Sequence, residues 1–235
     1  MRILGLDSSG LVASCAILDD DKLTAEYTLN FKKTHSQTLM PMLDVVAKAI
    51  ELDLSSVDVF AVAKGPGSFT GLRIGAASIK GMADVMNKSV VAVPTVDAIA
   101  YNLFGVRDLI VPIMDARRSQ VYTGIYTFED SGEMSVIMPQ CALAIEELIE
   151  IVNQKGLRAV FLGDGVPVYK DRIEELKRVS VLYAPPHQCA QRAGALCALG
   201  KILYEKGEYT NASDMRPDYL RKSQAERERE NSDAG

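Results

Sequence analysis

One order of elements occurs twice in this chain, and no other feature limits its fold as much. In the first half the apolar run Ile3–Asp7 predicts a strand ending on an aspartate, Ser8-Ser9-Gly10 supplies turn chemistry, and Val12–Leu18 predicts the returning strand. Leu23–Leu29 predicts a third strand. Leu39, Leu43, Val46 and Ile50 then recur at helical spacing, with Ser36 or Thr38 as the cap. Pro41 falls in the first turn if Thr38 is the cap and bends the helix if Ser36 is. Val57–Ala63 predicts a buried strand entering Gly65-Pro66-Gly67, followed by a helix from Gly71 to about Met86 with Thr70 as its cap. Val90–Val93 predicts a short strand, and Thr95 the cap of a helix to about Phe104. In the second half Leu109–Met114 predicts a strand ending at Asp115, Arg117-Arg118-Ser119 a turn, and Gln120–Phe128 the returning strand. A helix over about Ala144–Gln154, a strand Ala159–Leu162 entering Gly163-Asp164-Gly165, and a helix to about Leu176 complete the echo. Val179–Ala184 and Cys189–Glu205 predict a last strand and a long apolar helix.

Strands alternating with helices imply a mixed sheet with helices packed on it. Two such units facing each other leave a cleft between them. The predicted fold is α/β and two-lobed, of the actin/sugar-kinase/Hsp70-like (ribonuclease H-like) kind, with a mixed sheet flanked by helices in each lobe. The lobes fall at 1–104 and 105–220, and a charged, almost apolar-free tail at 221–235 predicts a solvated segment. In that architecture the turns after the two aspartates approach a nucleotide's phosphates, which makes Asp7, Ser8, Ser9, Gly65 and Gly67 candidates for a nucleotide cleft. The same pattern also admits a duplicated hairpin without a ligand. Asp7 and Asp115 could orient a metal-bound water or cap their hairpin turns. Arg117-Arg118 could hold phosphate or carboxylate bidentately or remain solvated.

The run from Gly65 to Gly75 is the most informative stretch. Glycine inside a helix costs roughly 1 kcal/mol relative to alanine, so close backbone approach to another element or to a ligand must offset it. Gly71-x-x-x-Gly75 with Ala76 and Ala77 offers a flat helix face, and the helix N-terminus would attract an anion. Gly71 is followed by Leu72-Arg73 rather than Lys-Ser/Thr, so the run is not a P-loop, and it is not a G-x-S-x-G nucleophile elbow.

Composition removes several function classes. The net charge of −5 and the lack of a basic stripe predict that a partner supplies most phosphate contacts if nucleic acid is involved. Four cysteines without a C-x-x-C pair read as reduced structural thiols, and two histidines, His35 and His187, leave no zinc spacing. No apolar run approaches the roughly 18–20 residues that span a bilayer, and Met1–Asp7 runs into a strand rather than a signal peptide, so a cytoplasmic protein without membrane contact is expected.

At Leu4-Gly5-Leu6-Asp7-Ser8-Ser9, at His35-Ser36 with Leu39 and Pro41, and at Gly65-Pro66-Gly67-Ser68-Phe69-Thr70-Gly71-Leu72-Arg73-Ile74-Gly75 the chain resembles the TsaB family. This is the bacterial partner subunit in biosynthesis of tRNA threonylcarbamoyladenosine. Val93-Pro94-Thr95, Asp115-Ala116-Arg117-Arg118 with Val121-Tyr122, Gly163-Asp164-Gly165 and Pro217-Asp218-Tyr219-Leu220-Arg221 extend the match over nearly the whole chain.

The resemblance implies a degenerate paralogue of TsaD, the catalytic subunit that transfers threonylcarbamoyl from threonylcarbamoyl-adenylate to N6 of the adenosine beside the anticodon. TsaD carries an H-x-E-x-H metal motif, and its pattern places Thr95 and Ile99 at the histidine positions and Asp97 at the acidic one. Threonine is a poor ligand and isoleucine is none, so no metal, no cofactor and no catalytic residue are expected. The resemblance further implies that helices near 36–52 and 70–86 dock on their counterparts in TsaD or in a second copy, with the ATPase TsaE joining and tRNA met only through the complex. The interface residues implied are His35, Leu39, Leu43, Phe69, Thr70, Leu72, Arg73 and Gly75. An autonomous phosphotransferase or peptidase-like enzyme of the same fold is the alternative.

Overall fold

Runs of valine, isoleucine and leucine build ten strands, and the structure, a computed structural model, describes them within residues 1–31 and 33–221. The tail expected at 221–235 lies, from 222 on, outside the described residues. Strands β1 (Arg2–Asp7), β2 (Ala13–Asp19) and β3 (Lys22–Leu29) form an antiparallel meander. Strand β4 (Val59–Gly65) pairs in parallel with β1, and β5 (Ser89–Pro94) in parallel with β4, giving the order β3-β2-β1-β4-β5. The second sheet repeats this with β6 (Leu109–Asp115), β7 (Gln120–Phe128), β8 (Met134–Ala144), β9 (Ala159–Leu162) and β10 (Val181–Tyr183). Its order is β10-β9-β6-β7-β8, antiparallel across β6-β7-β8 and parallel across β6-β9-β10. The two halves therefore share one topology, as the repeat in the sequence demands.

Both faces of each sheet are covered. Helices α1 (His35–Ala49) and α2 (Phe69–Met86) bury Leu39, Met42, Leu43, Val46, Ala76, Ile79 and Ala83 on one face of the first sheet, against Leu4, Leu6, Ile17, Phe60 and Val62. Helix α3 (Thr95–Tyr101) packs Val96, Ile99 and Ala100 on Ile110, Met114, Tyr126 and Phe128 of the second sheet. Helices α4 (Ile145–Lys155) and α5 (Val166–Leu176) cover that sheet's other face. The short α6 (Pro186–Cys189) precedes α7 (Ala193–Glu205).

Several elements depart from the sequence expectation; α3, for one, has Pro94 rather than Thr95 at its cap and ends at Tyr101. The helix expected over Cys189–Glu205 starts at Ala193, because Ala190 and Arg192 are extended, and Cys189 instead ends the short α6. This helix, α7, lies on the first sheet rather than within the second half's lobe, with Leu196, Cys197 and Leu199 against Ile3, Ala16, Leu18, Val59 and Ala61. Strand β8 has no counterpart among the expected elements. It is an edge strand, half-buried along most of its length and carrying Pro139, so neither alternation nor an uninterrupted β-propensity marks it. The caps also move. Thr34 stands at the N-cap of α1, which puts Pro41 in the second turn, and Ser68 rather than Thr70 caps α2 by accepting from Gly71 N at 3.2 Å. Among the described residues no helix is long and apolar enough to cross a membrane.

Candidate functional site

Strand β1 is central in its sheet, so the residues at its carboxyl end are enclosed on all sides. Asp7, Ser8 and Ser9 are buried. Asp7 Oδ1 accepts from Ser9 N at 2.9 Å and from Ser9 Oγ at 2.6 Å, the hydrogen bonds of a capped turn. Burial pushes the Asp7 carboxyl above its ordinary range, against the lowering effect of the Ser9 donors and of His35. Ser8 Oγ donates to Gly71 O at 2.8 Å, and Ser68 N donates to Ser9 O at 2.7 Å. A Cβ on Gly67 would run into the Ser9 carbonyl, one on Gly71 into the Ser8 carbonyl, and one on Gly75 would stand 2.6 Å from Ser8 Oγ. Gly65, at φ +119°, lets the backbone of Asp218 approach, and Asp218 N donates to Lys64 O at 2.6 Å. His35 Nε2 meets Gly10 O at 2.8 Å. The structure thus brings Asp7, Ser8, Ser9, Gly67 and His35 into one cluster, while Gly65, the remaining nucleotide-cleft candidate, contacts Asp218, Leu72 and Thr95. Its glycines admit the chain's own turn, and two donors that a phosphate would use, Ser68 N and Gly71 N, are engaged within the chain.

The second half repeats the device with different chemistry. Gly163, at φ +104°, and Gly165 pack on the Ile113 carbonyl, to which Gly165 N donates at 3.0 Å. Asp115 Oδ1 accepts from Arg117 N at 2.9 Å and Tyr169 Oη at 3.0 Å, while Asp115 N donates to Asp164 Oδ1 at 3.2 Å. Burial, with Asp115 beside it, pushes the Tyr169 phenol up to about 12. Burial likewise raises the Asp164 carboxyl. Arg117, Arg118 and Ser119 lie consecutively at φ 65°, 56° and 56°. Left-handed backbone costs a non-glycine residue about 1–2 kcal/mol, and the turn holds through Gln120 N to Arg117 O and Ile145 N to Ser119 O.

Between the two sheets, Thr95 Oγ1 accepts from Gly65 N at 3.2 Å, Asp97 Oδ1 accepts from Tyr126 Oη at 2.6 Å, and Ile99 lies in the core. Thr95 and Asp97 therefore serve hydrogen bonds within the chain, and Ile99 serves its packing. Among the described residues no group of three or more His, Cys, Asp or Glu is placed to hold a metal ion.

The implied docking residues divide by burial. Leu39, Leu43, Leu72 and Gly75 are buried within this chain, so they are not surface contacts; helical periodicity marks an apolar face without saying what covers it. Thr70 and Arg73 are exposed, and His35 and Phe69 are half-buried. The exposed apolar side chains of the two helices are instead Met40 and Val45 on α1 and Val85 on α2, 44%, 54% and 80% exposed.

Sequence reasoning also missed the anchor that holds Phe69 and Arg73. Phe69 and Tyr219 stack with ring centroids 4.3 Å apart, and Arg73 Nε donates to Tyr219 Oη at 3.2 Å. The same segment reaches the second half, where Arg221 Nη1 donates to Ala116 O at 2.7 Å. No local signal reveals such a contact, because its partners are far apart in the chain.

The family model described as TsaD: tRNA N6-adenosine threonylcarbamoyltransferase matches residues 22–229. The tRNA threonylcarbamoyladenosine biosynthesis protein TsaB of Bacillus subtilis (strain 168) is 33% identical over 226 residues, covering 96% of both chains. The protein of the same name from Haemophilus influenzae is 27% identical over 231 residues, covering 94% of both. Among solved structures, YeaZ from Pseudomonas aeruginosa matches with a TM-score of 0.80 at 26% identity, over 93% of this chain and 99% of that one.

Proposed function

This chain belongs to the TsaB family of tRNA threonylcarbamoyladenosine biosynthesis proteins, and we propose that it serves there as a non-catalytic activating subunit. It docks on TsaD and is required for transfer of threonylcarbamoyl from threonylcarbamoyl-adenylate to N6 of the adenosine beside the anticodon in tRNA. The observation that carries this reading is that Met40, Val45 and Val85 stand exposed on α1 and α2, helices whose sheet-facing sides are already buried. Burying such side chains contributes about 1.5–3 kcal/mol each, which suits a helix pair made to dock. Supporting it, Ser8, Ser9, Gly65 and Gly67 spend polar groups or close approaches on one another and on neighbouring backbone, while Asp7 gives one carboxylate oxygen to Ser9 and keeps Oδ2 buried without a partner among the described residues. Thr95 and Ile99 lack the imidazoles that a TsaD-like metal centre uses.

The mechanism is conformational. A subunit that binds one state of TsaD more tightly than others shifts TsaD toward that state. The same helix face in a second copy gives a homodimer when TsaD is absent, and TsaE joins the heterocomplex. Gel filtration with light scattering tests the docking step. The chain is expected to co-elute with TsaD, and the Val45→Asp/Val85→Asp variant to elute alone and as a monomer. Separate elution of the native chain, or unchanged co-elution of the variant, would overturn the reading.

A further inference from the structure

The arginines at 117 and 118 have no part in the docking face, yet the chain holds them out on three consecutive left-handed residues. Arg117 pairs with Asp115 at 3.2 Å, and Arg118 is exposed with no polar partner among the described residues. The C-terminal segment carries one more guanidinium group to this turn and holds another on α2. Arg221 is fixed on the Ala116 carbonyl, next to Arg117. Two residues earlier, a chain distance of at most about 7 Å, Tyr219 stacks on Phe69 and holds Arg73, whose guanidinium lies 5.8 Å and 5.9 Å from the two ring centres. Arg117, Arg118 and Arg221 thus lie together at the 115–119 turn, and the segment that supplies Arg221 also holds Arg73 beside the stacked aromatic pair, on a chain of net charge −5. Of the nearby carboxylates, Asp115 is held by Arg117 and Tyr169, Asp164 accepts from Asp115 N, and Glu146 pairs with Arg172, while Asp218 lies within the 217–221 segment itself.

We infer that this surface is a contact site for the phosphodiester backbone of RNA. Planar guanidinium forks match phosphate oxygens bidentately and remain charged at every working pH. Half-exposed aromatic rings interleaved with arginine offer a stacking face for an unpaired base. A carboxylate-rich protein would satisfy the arginines but has no use for the ring pair. Seating of residues 217–221 across the two halves completes the site, since it supplies both Tyr219 and Arg221. The inference deepens the tRNA reading above and rests on it for the identity of the RNA.

The test is fluorescence anisotropy of a labelled tRNA transcript against the full chain, alone and mixed with TsaD, over a salt series. Arg118→Glu is exposed and partnerless, so its thermal melt serves as the folding control. Arg118→Glu and Arg118→Ala/Arg221→Ala are expected to bind about tenfold more weakly near 0.1 M salt, with a salt slope shallower by about 1 for each arginine removed. Unchanged affinity and slope, no binding by the native chain in either form, or equally tight binding of a polyglutamate probe would overturn it. Failure of the tRNA reading is separate: it is a chain that neither co-elutes with TsaD nor raises modification, whatever the anisotropy shows.

Discussion

Gly71 and Gly81 sit in the same helix and face opposite fates on gaining a methyl group. At Gly71 the new Cβ meets the Ser8 carbonyl, whereas at Gly81 nothing lies within 4 Å. Gly71→Ala is expected to destabilise by about 1–3 kcal/mol, as overpacking does. Gly81→Ala is expected to stabilise by about 0.5–1 kcal/mol through helix propensity, with urea denaturation as the measure of both. Asp7 adds a pH dependence. Its carboxyl is raised above the ordinary 3.8 by burial, so the native state holds the proton to higher pH than the unfolded chain does. The stability from this group is complete below 3.8 and is lost as pH rises through the native value. Asp7→Asn, which mimics the protonated form, should therefore gain stability relative to the native chain on going from pH 4 to pH 7; a gap that does not change with pH would contradict the assignment. Gly81, expected to share the need for close approach, has nothing within 4 Å, whereas Gly71 and Gly75 were legible in the sequence as positions that require it. What approaches them was not, because Ser8 and Ser9 reach Gly67, Gly71 and Gly75 only through the pairing of β1 with β4.

Helices α1 and α2 show what periodicity can and cannot say. Leu39, Leu43, Val46 and Ile50 marked a helix and its apolar stripe, and the stripe proves to be this chain's own core. Leu39→Ala is expected to cost about 2–5 kcal/mol. Val85→Asp, on an exposed side chain, should stay within about 0.5 kcal/mol in stability while weakening association with TsaD at least tenfold, read by titration calorimetry. The segment 217–221 makes a further prediction. Tyr219→Ala removes a stacked pair worth about 0.5–1.5 kcal/mol, so hydrogen exchange should accelerate at residues 217–221 and leave the strands of both sheets unchanged. Strand β8 stayed illegible for a physical reason. An edge strand needs only one pairing partner, so it tolerates Pro139 and an irregular burial pattern.

For the molecule as a whole, the repeat in the sequence predicted the architecture well, because strand–turn–helix order fixes sheet topology once the crossovers are taken as right-handed. It did not predict that α7 would cross back to the first sheet, with α3 lying on the second, so that two helices fill the space between the halves. A helix that is apolar on most sides can be buried by either sheet, and its position in the chain does not choose between them. The candidate site was legible to a similar depth. Its turns, aspartates and the Arg117-Arg118 pair were visible, while the approach of Arg221 to Ala116 and of Tyr219 to Arg73 exists only in the folded chain. The central claim, a non-catalytic subunit that TsaD requires, is tested most directly by reconstitution. Threonylcarbamoylation of tRNA is measured with TsaD, TsaE, L-threonine, bicarbonate, ATP and the adenylate-forming enzyme, with and without this chain. The account predicts modification only when TsaD and this chain are both present; equal modification without this chain, or modification by this chain in the absence of TsaD, would contradict it.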